Sequence, residues 1–352
     1  MSRFFTKTLS ALQPYTPGEQ PQDMQYIKLN TNESPFPPAP GVLDAVSSEE
    51  VSKLYLYSDP DCKALTEAIA KRFGLQPEQV TVGNGSDEVL WFALRAFCDE
   101  QIPLAYSDIT YGCYKTWCSM LNVPSRIILL QEDYSVDIRQ YNGLNCTVMI
   151  TNPNAPTGLC LPLSEIETVL QANPDNVVIV DEAYVDFGGE SAVSLIEKYD
   201  NLLVVQTCSK SRSLAGARLG FAMGNPDLIA DLNRIKFSFN PYNVNRLTCL
   251  AGIAAMEDED YFRACTEAVA ATRERVAAEL REMGFALTES KANFLFAESS
   301  RIPGGELYRK LKEKGILVRH FDKPRLENRL RITVGSDRQM DALLTALREL
   351  GA

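Results

Sequence analysis

The chain has 352 residues, 35 bases against 46 acids for a net charge of −11, and a single histidine, His320. The acidic balance excludes a basic surface for nucleic acid or anionic membrane, and one histidine excludes a multi-histidine metal site, so no metal is expected. An apolar fraction of 45% gives ample chain for a core, and no apolar run approaches the roughly 18 to 20 residues of a membrane span, so the reading is a soluble, cytoplasmic protein.

Residues 1–40 carry seven prolines, a density that prevents regular helix or central strand and predicts an extended arm. Phe4, Phe5, Tyr15, Tyr26 and Phe36 are interleaved with them, so the arm is expected to pack on a neighbour. From about 42 to 240, short branched apolar runs (79–82, 102–106, 126–130, 147–150, 177–180, 202–206, 219–223) alternate with helical patterns (62–73, 87–98, 163–171, 194–199). That alternation predicts an α/β unit with a mostly parallel central sheet, helices on both faces and ligands at the strand ends. From 242 onward the order changes to α+β: helices at 244–256 and 258–283, strands at 293–297, 316–319 and 329–333, a helix at 304–314 and another from Asp337. The expected division is therefore an arm (1–40), a large domain (41–241) and a small domain (242–352). Nine scattered cysteines without a CxxC pair read as free thiols in a reducing compartment.

Four segments carry chemistry. Gly83-Asn84-Gly85-Ser86-Asp87-Glu88 leads from a strand into a helix and reads either as a capped helix start or as a phosphate cradle; it is neither GxGxxG nor a P-loop. Thr151-Asn152-Pro153-Asn154-Ala155-Pro156-Thr157-Gly158 makes a stiff turn at a strand end, with two asparagines as candidate donors. Asp181-Glu182-Ala183-Tyr184 closes a buried strand with an acid, which needs a cation or a proton donor there. Lys210, past the next strand end among Thr207, Ser209 and Ser211, is followed by Arg218; a buried lysine near another cation has a lowered pKa and forms Schiff bases. Together these suit one cofactor, pyridoxal phosphate, which needs a lysine for its aldehyde, an acid for its ring nitrogen and donors for its phosphate.

At these residues the sequence resembles the fold-type I pyridoxal-phosphate aminotransferases, and within them the histidinol-phosphate aminotransferases, over nearly its whole length. The resemblance implies Lys210 as the lysine that binds the cofactor, Asp181 and Tyr184 at the pyridine nitrogen and ring hydroxyl, and Gly85, Ser86, Asp87, Thr207, Ser209 and Arg218 at the phosphate. It implies Tyr111 as the ring-stacking aromatic, Asn154 as a candidate cofactor contact, and Tyr57 as a residue reaching the cofactor phosphate of the neighbouring subunit of a homodimer. Tyr15, Asn32, Arg319 and Arg331 match substrate-side positions, with histidinol phosphate and 2-oxoglutarate as the implied substrates and imidazole-acetol phosphate and glutamate as products. Two departures stand out: Ala155 occupies the place of an asparagine that bonds the ring hydroxyl, leaving Asn154, Asn152 or Tyr184 alone to substitute, and Ser58 stands where proline is frequent. Alternatives within the fold are a threonine-phosphate decarboxylase-like or aromatic aminotransferase enzyme. Outside it stands a dinucleotide-binding oxidoreductase; a ligand-sensing regulator on the same fold would need a DNA-binding extension that this sequence does not show.

Overall fold

The computed structural model describes residues 4–6 and 9–352; residues 1–3, 7 and 8 of the expected arm lie outside that description. Proline fixes φ and removes an amide donor, and the arm accordingly makes one two-residue strand, β1 (Ile27–Lys28), in a stretch free of proline. Seven strands then form the large sheet: β2 (Val80–Asn84), β3 (Leu104–Ser107), β4 (Ser125–Ile128), β5 (Thr147–Thr151), β6 (Val178–Asp181), β7 (Leu202–Thr207) and β8 (Leu219–Gly224). Their spatial order is β2-β8-β7-β6-β5-β3-β4. Pairing is parallel from β7 across to β4, while β8 runs antiparallel to both of its neighbours.

Strand residues alternate between two cores, as burial on both faces requires. Val148, Ile150, Val178, Val180, Leu202 and Val204 pack into one, and Met149, Ile179, Leu203 and Val205 into the other. Helices Lys63–Phe73, Ser86–Phe97 and Leu163–Ala172 fall on the expected patterns. The six residues 194–199 do not form the expected helix. One 3-10 turn, Ala192–Leu195, stands there, because so short a segment does not repay helix nucleation. Helices Cys113–Leu121 and Pro226–Phe239 were not anticipated.

The remaining strands are β9 (Phe285–Leu287), β10 (Phe294–Ser299), β11 (Ile316–Leu317), β12 (Arg319–His320) and β13 (Arg329–Thr333). The expected strand 316–319 is in fact two. β11 pairs in parallel with β1 of the arm, and β12 joins the antiparallel sheet β12-β13-β10-β9. Leu29 of the arm is buried in the core beneath this sheet, with Leu280, Leu295, Ile332 and Leu343. Val244, Ala251, Ala255 and Met256 pack instead with Leu65 and Ile69 in the large-sheet core. The nine cysteines are free, and among the described residues no helix is long and apolar enough to cross a membrane.

Strand β8 of the large sheet fixes the start of helix Ser86–Phe97 by close approach. A Cβ on Gly220 of β8 would stand 2.1 Å from the Ser86 amide nitrogen and 2.4 Å from the Gly85 carbonyl carbon. Gly220→Ala must push the helix start away, and is expected to cost about 1–3 kcal/mol by overpacking, read as a lower urea midpoint.

Candidate active site

The strand ends converge on a cavity of about 270 Å³. At one end, β2 runs into Gly85, which precedes helix Ser86–Phe97 at φ +83°. A Cβ on Gly85 would lie 2.5 Å from the Arg218 guanidinium, so both the turn and the arginine require glycine. The first amides of this helix have no intrahelical acceptor and Gly85 brings no capping side chain, which makes the end an anion site. Ser86, Thr207, Ser209 and Arg218 line the same part of the cavity. Asp87 is held there by two partners: Tyr111 donates to its Oδ1 at 2.9 Å, and Arg218 Nη2 stands 3.1 Å from Oδ2.

Asp181 closes β6 and faces the cavity. Its Oδ2 accepts from the Tyr114 hydroxyl at 2.5 Å and its Oδ1 from the Ala183 amide at 3.1 Å, with no cation beside it among the described residues. Burial pushes its pKa up to about 6, against the lowering effect of those two bonds. Glu182, one residue on, is also buried but is bonded elsewhere. It accepts from Ser191 Oγ, the Ala192 amide and Gln206 Nε2, and so ties a loop to β7. Burial likewise raises it, to about 7.

Lys210 follows β7, and its Nζ donates to the Thr31 carbonyl at 3.2 Å. Burial, then the charge of Arg331, lowers its pKa to about 8. Its Nζ is 5.9 Å from the centre of the Tyr184 ring. The Tyr184 hydroxyl accepts from Asn32 Nδ2 at 3.0 Å, and its ring packs edge-on against Phe294 at 5.1 Å. Asn32 itself sits at φ +56°, its backbone N–H and Oδ1 both bonded to Thr333 Oγ1.

The structure does not bring Asn154 to the cavity. Its amide nitrogen donates to the Ile109 carbonyl and Thr157 Oγ1, and its oxygen accepts from Thr110. Asn152 is likewise spent, bridging the Leu161 amide and carbonyl. Ala155 is the loop residue that faces the cavity. Tyr111 lines it too, with Tyr15 edge-on to Tyr111 at 5.7 Å. Arg331, in β13, gives Nη2 to the Asn30 carbonyl at 2.9 Å, while its buried Nε has no partner. Among the described residues no carboxylate pairs with it, and its charge acts on Lys210 and Tyr184. Arg319 donates to the carbonyls of Pro17 and Thr16 and lies over the Phe321 ring at 5.4 Å. Tyr57 lies away from this cavity, 80% exposed and stacked on Tyr242 at 4.5 Å.

Thr31, Glu33, Thr151, Ala183 and Ala215 also line the cavity and were not anticipated. Tyr114 was missed too: it lies in helix Cys113–Leu121, its hydroxyl on Asp181 and its ring edge-on to Tyr111 at 5.6 Å. The groups left unspent fit pyridoxal phosphate. Free helix amides and the Ser86 and Ser209 hydroxyls could hold a phosphate, Asp181 offers a carboxylate with no cation beside it among the described residues, and Lys210 offers one weakly held amine.

These are the features of a pyridoxal-phosphate site. Residues 24–347 match the family described as aminotransferase class I and II. The chain is 47% identical over 349 residues to a histidinol-phosphate aminotransferase of Clostridium acetobutylicum, covering 99% of both chains. It is 50% identical over 353 residues to one from a Marinomonas species, covering 99% of this chain and 100% of that one. The solved histidinol-phosphate aminotransferase of Sinorhizobium meliloti, a complex with pyridoxal 5′-phosphate, superposes with a TM-score of 0.86 at 25% identity, over 100% of this chain and 98% of that one. The chain belongs to the class I and II aminotransferases, in the branch of the histidinol-phosphate aminotransferases. Its fold is the expected fold-type I α/β architecture.

Asp181 gives a pH signature without any ligand. Its folded pKa exceeds the unfolded value of 3.8, so its stabilising contribution is complete below pH 3.8 and is lost as pH rises through about 6. At 1.36 kcal/mol per unit the loss is about 3 kcal/mol. Asp181→Asn, measured by urea unfolding of ligand-free protein, is expected to gain on the wild type between pH 4 and 6 by up to that amount.

Proposed function

We propose that this chain is a cytoplasmic, homodimeric transaminase that uses pyridoxal phosphate to convert histidinol phosphate and 2-oxoglutarate to imidazole-acetol phosphate and glutamate. The observation that carries the reading is an amine with a pKa near 8, Lys210, in a cavity shared with a cation-free Asp181 and electrostatically coupled to an unpaired Arg331. Bound pyridoxal phosphate supplies an electron-withdrawing ring that stabilises negative charge at the substrate Cα. Asp181 holds the ring nitrogen's proton, and its own preference for a proton in the ligand-free protein favours the pair. Near pH 8 about half of Lys210 is neutral, able to bond the cofactor's aldehyde carbon and later to take the Cα proton of the substrate and return it.

Arg331 and Arg319 support the choice of substrates. A guanidinium fork suits a carboxylate or a phosphate ester, as an enzyme alternating between glutamate and histidinol phosphate requires. Both now rest on backbone carbonyls, which an anion can displace without breaking an ion pair. The names of the relatives point the same way. The free cysteines support a reducing cytoplasm. The dimer is supported by exposed Leu54, Tyr55, Leu56, Tyr57, Phe239 and Tyr242, an apolar concentration that a monomer rarely leaves open. Tyr57 in that patch is free to reach a neighbour's phosphate end.

Lys210→Ala is expected to lower turnover by about 10⁴-fold, the upper range for loss of a proton-transferring group, and to abolish the lysine-linked visible band. Mixing the loaded enzyme with histidinol phosphate, glutamate, phenylalanine and O-phosphothreonine in turn should discharge the band with the first two. Carbon dioxide from O-phosphothreonine would instead identify a decarboxylase. Light scattering should give twice the mass of one chain, and Tyr57→Ala should weaken retention of pyridoxal phosphate although Tyr57 lies outside the cavity of its own chain.

A further inference from the structure

Three consecutive arm residues touch three of the site's central groups. The Asn30 carbonyl accepts from Arg331, the Thr31 carbonyl from Lys210, and the Asn32 amide donates to Tyr184. The third contact differs in kind from the first two. A carbonyl solvates a cation, whereas an amide N–H on a phenol oxygen decides where the phenol's own hydrogen goes. Asn32 Nδ2 is donor-only and occupies one side of the Tyr184 oxygen, so that oxygen is the acceptor. This is the one hydrogen bond of the Tyr184 hydroxyl among the described residues, which leaves its hydrogen without a protein acceptor in a buried cavity. A buried donor left open costs free energy unless a ligand acceptor meets it.

Asn32 is itself over-determined. Thr333 Oγ1 bonds both its backbone N–H and its Oδ1, and the Asn293 amide holds its carbonyl. With Oδ1 fixed on Thr333, the amide cannot flip, and Nδ2 must face Tyr184. The loop across the cavity supplies no competing donor. Asn152 is spent on Leu161 and Asn154 on Ile109, Thr110 and Thr157, and Ala155 is what the loop presents.

We propose that Asn32 is a positioning residue that fixes the Tyr184 hydroxyl as a hydrogen-bond donor to an anionic ring oxygen of the bound cofactor, a task that no loop amide performs here. The inference rests on the reading of the site as one for pyridoxal phosphate. A hydrogen bond given to that oxygen favours the less protonated form of the lysine-linked cofactor beside it, so losing its alignment raises the pH at which the visible band changes.

Two variants isolate the amide from the backbone. Asn32→Gly keeps the left-handed φ and deletes the side chain, and Asn32→Asp keeps the shape but replaces the donor with an acceptor that pulls the phenol hydrogen out of the cavity. Each is loaded with pyridoxal phosphate, and the visible band is titrated alongside a thermal melt and a cofactor dissociation constant. The expected result is an upward shift of the band's midpoint by about 1 pH unit, the equivalent of one hydrogen bond, larger for Asp than for Gly, with weaker cofactor retention. Midpoints equal to the wild type in both variants, with only the melting temperature lowered, would make Asn32 a structural residue and overturn the proposal. Variants that fail to fold are replaced by Thr333→Val, which frees the Asn32 amide to rotate; an unshifted midpoint there overturns it equally. A wild-type protein that takes up no pyridoxal phosphate and shows no band would overturn the functional reading itself and this inference with it.

Discussion

Lys210, Arg331 and Asp181 are drawn into one interior region without being allowed to neutralise one another. No salt bridge joins any two of them, although each cation is largely withdrawn from water. An uncompensated buried charge is costly, and a flexible chain would relieve the cost by collapsing them into pairs. The strand framework prevents this. Asp181 is fixed at the end of β6, Lys210 beyond the end of the adjacent β7, and Arg331 within β13 of the smaller sheet. The rest of the site follows from keeping these charges apart and open to a ligand.

The arm makes the arrangement tolerable. Carbonyls of Asn30 and Thr31 solvate Arg331 and Lys210 without cancelling their charge, which a carboxylate would do. A dipole leaves the cation available to an incoming anion, whereas an ion pair must first be broken. The arm can do this only because it is anchored as part of the smaller sheet's layer. β1 pairs with β11, Leu29 is buried beneath the sheet, and Asn32 is bonded to Thr333 of β13. Arg218 shows the contrast. It is paired with Asp87, at the end of the cavity lined by Ser86, Thr207 and Ser209.

Much of this was legible because the chemistry sits where the pattern of the chain changes. Lys210, Asp181, Ser86 and Arg218 lie where a buried apolar run meets a turn, and such junctions are visible in sequence. Side-chain direction was not. Asn154 has the residue type of a cofactor ligand, but its three side-chain hydrogen bonds go to Ile109, Thr110 and Thr157. Glu182 looks equivalent to Asp181, yet adjacent residues at a strand end point opposite ways, and it became a tie to Ser191 and Gln206. The pairing of β1 with β11 joins residues nearly 290 positions apart and leaves no local trace. The same holds for the antiparallel insertion of β8, whose apolar run reads like its parallel neighbours.

The net acidity of the chain and the cations of its cavity act over different ranges. At physiological salt the Debye length is about 8 Å, so the net charge of −11 acts as a short-range coat that repels polyanions pressed against the exterior. Charges inside a protein are screened much less, and Lys210 and Arg331 keep their pull on any anion small enough to enter. A cavity of about 270 Å³ admits a small anion and not a polymer, which agrees with the substrates proposed above. The single histidine fits this division, since His320 is occupied with the Glu327 carbonyl and with stacking on Tyr308. The amine of Lys210, its pKa lowered by burial and then by the charge of Arg331, is the group in the cavity suited to the proton transfer proposed above.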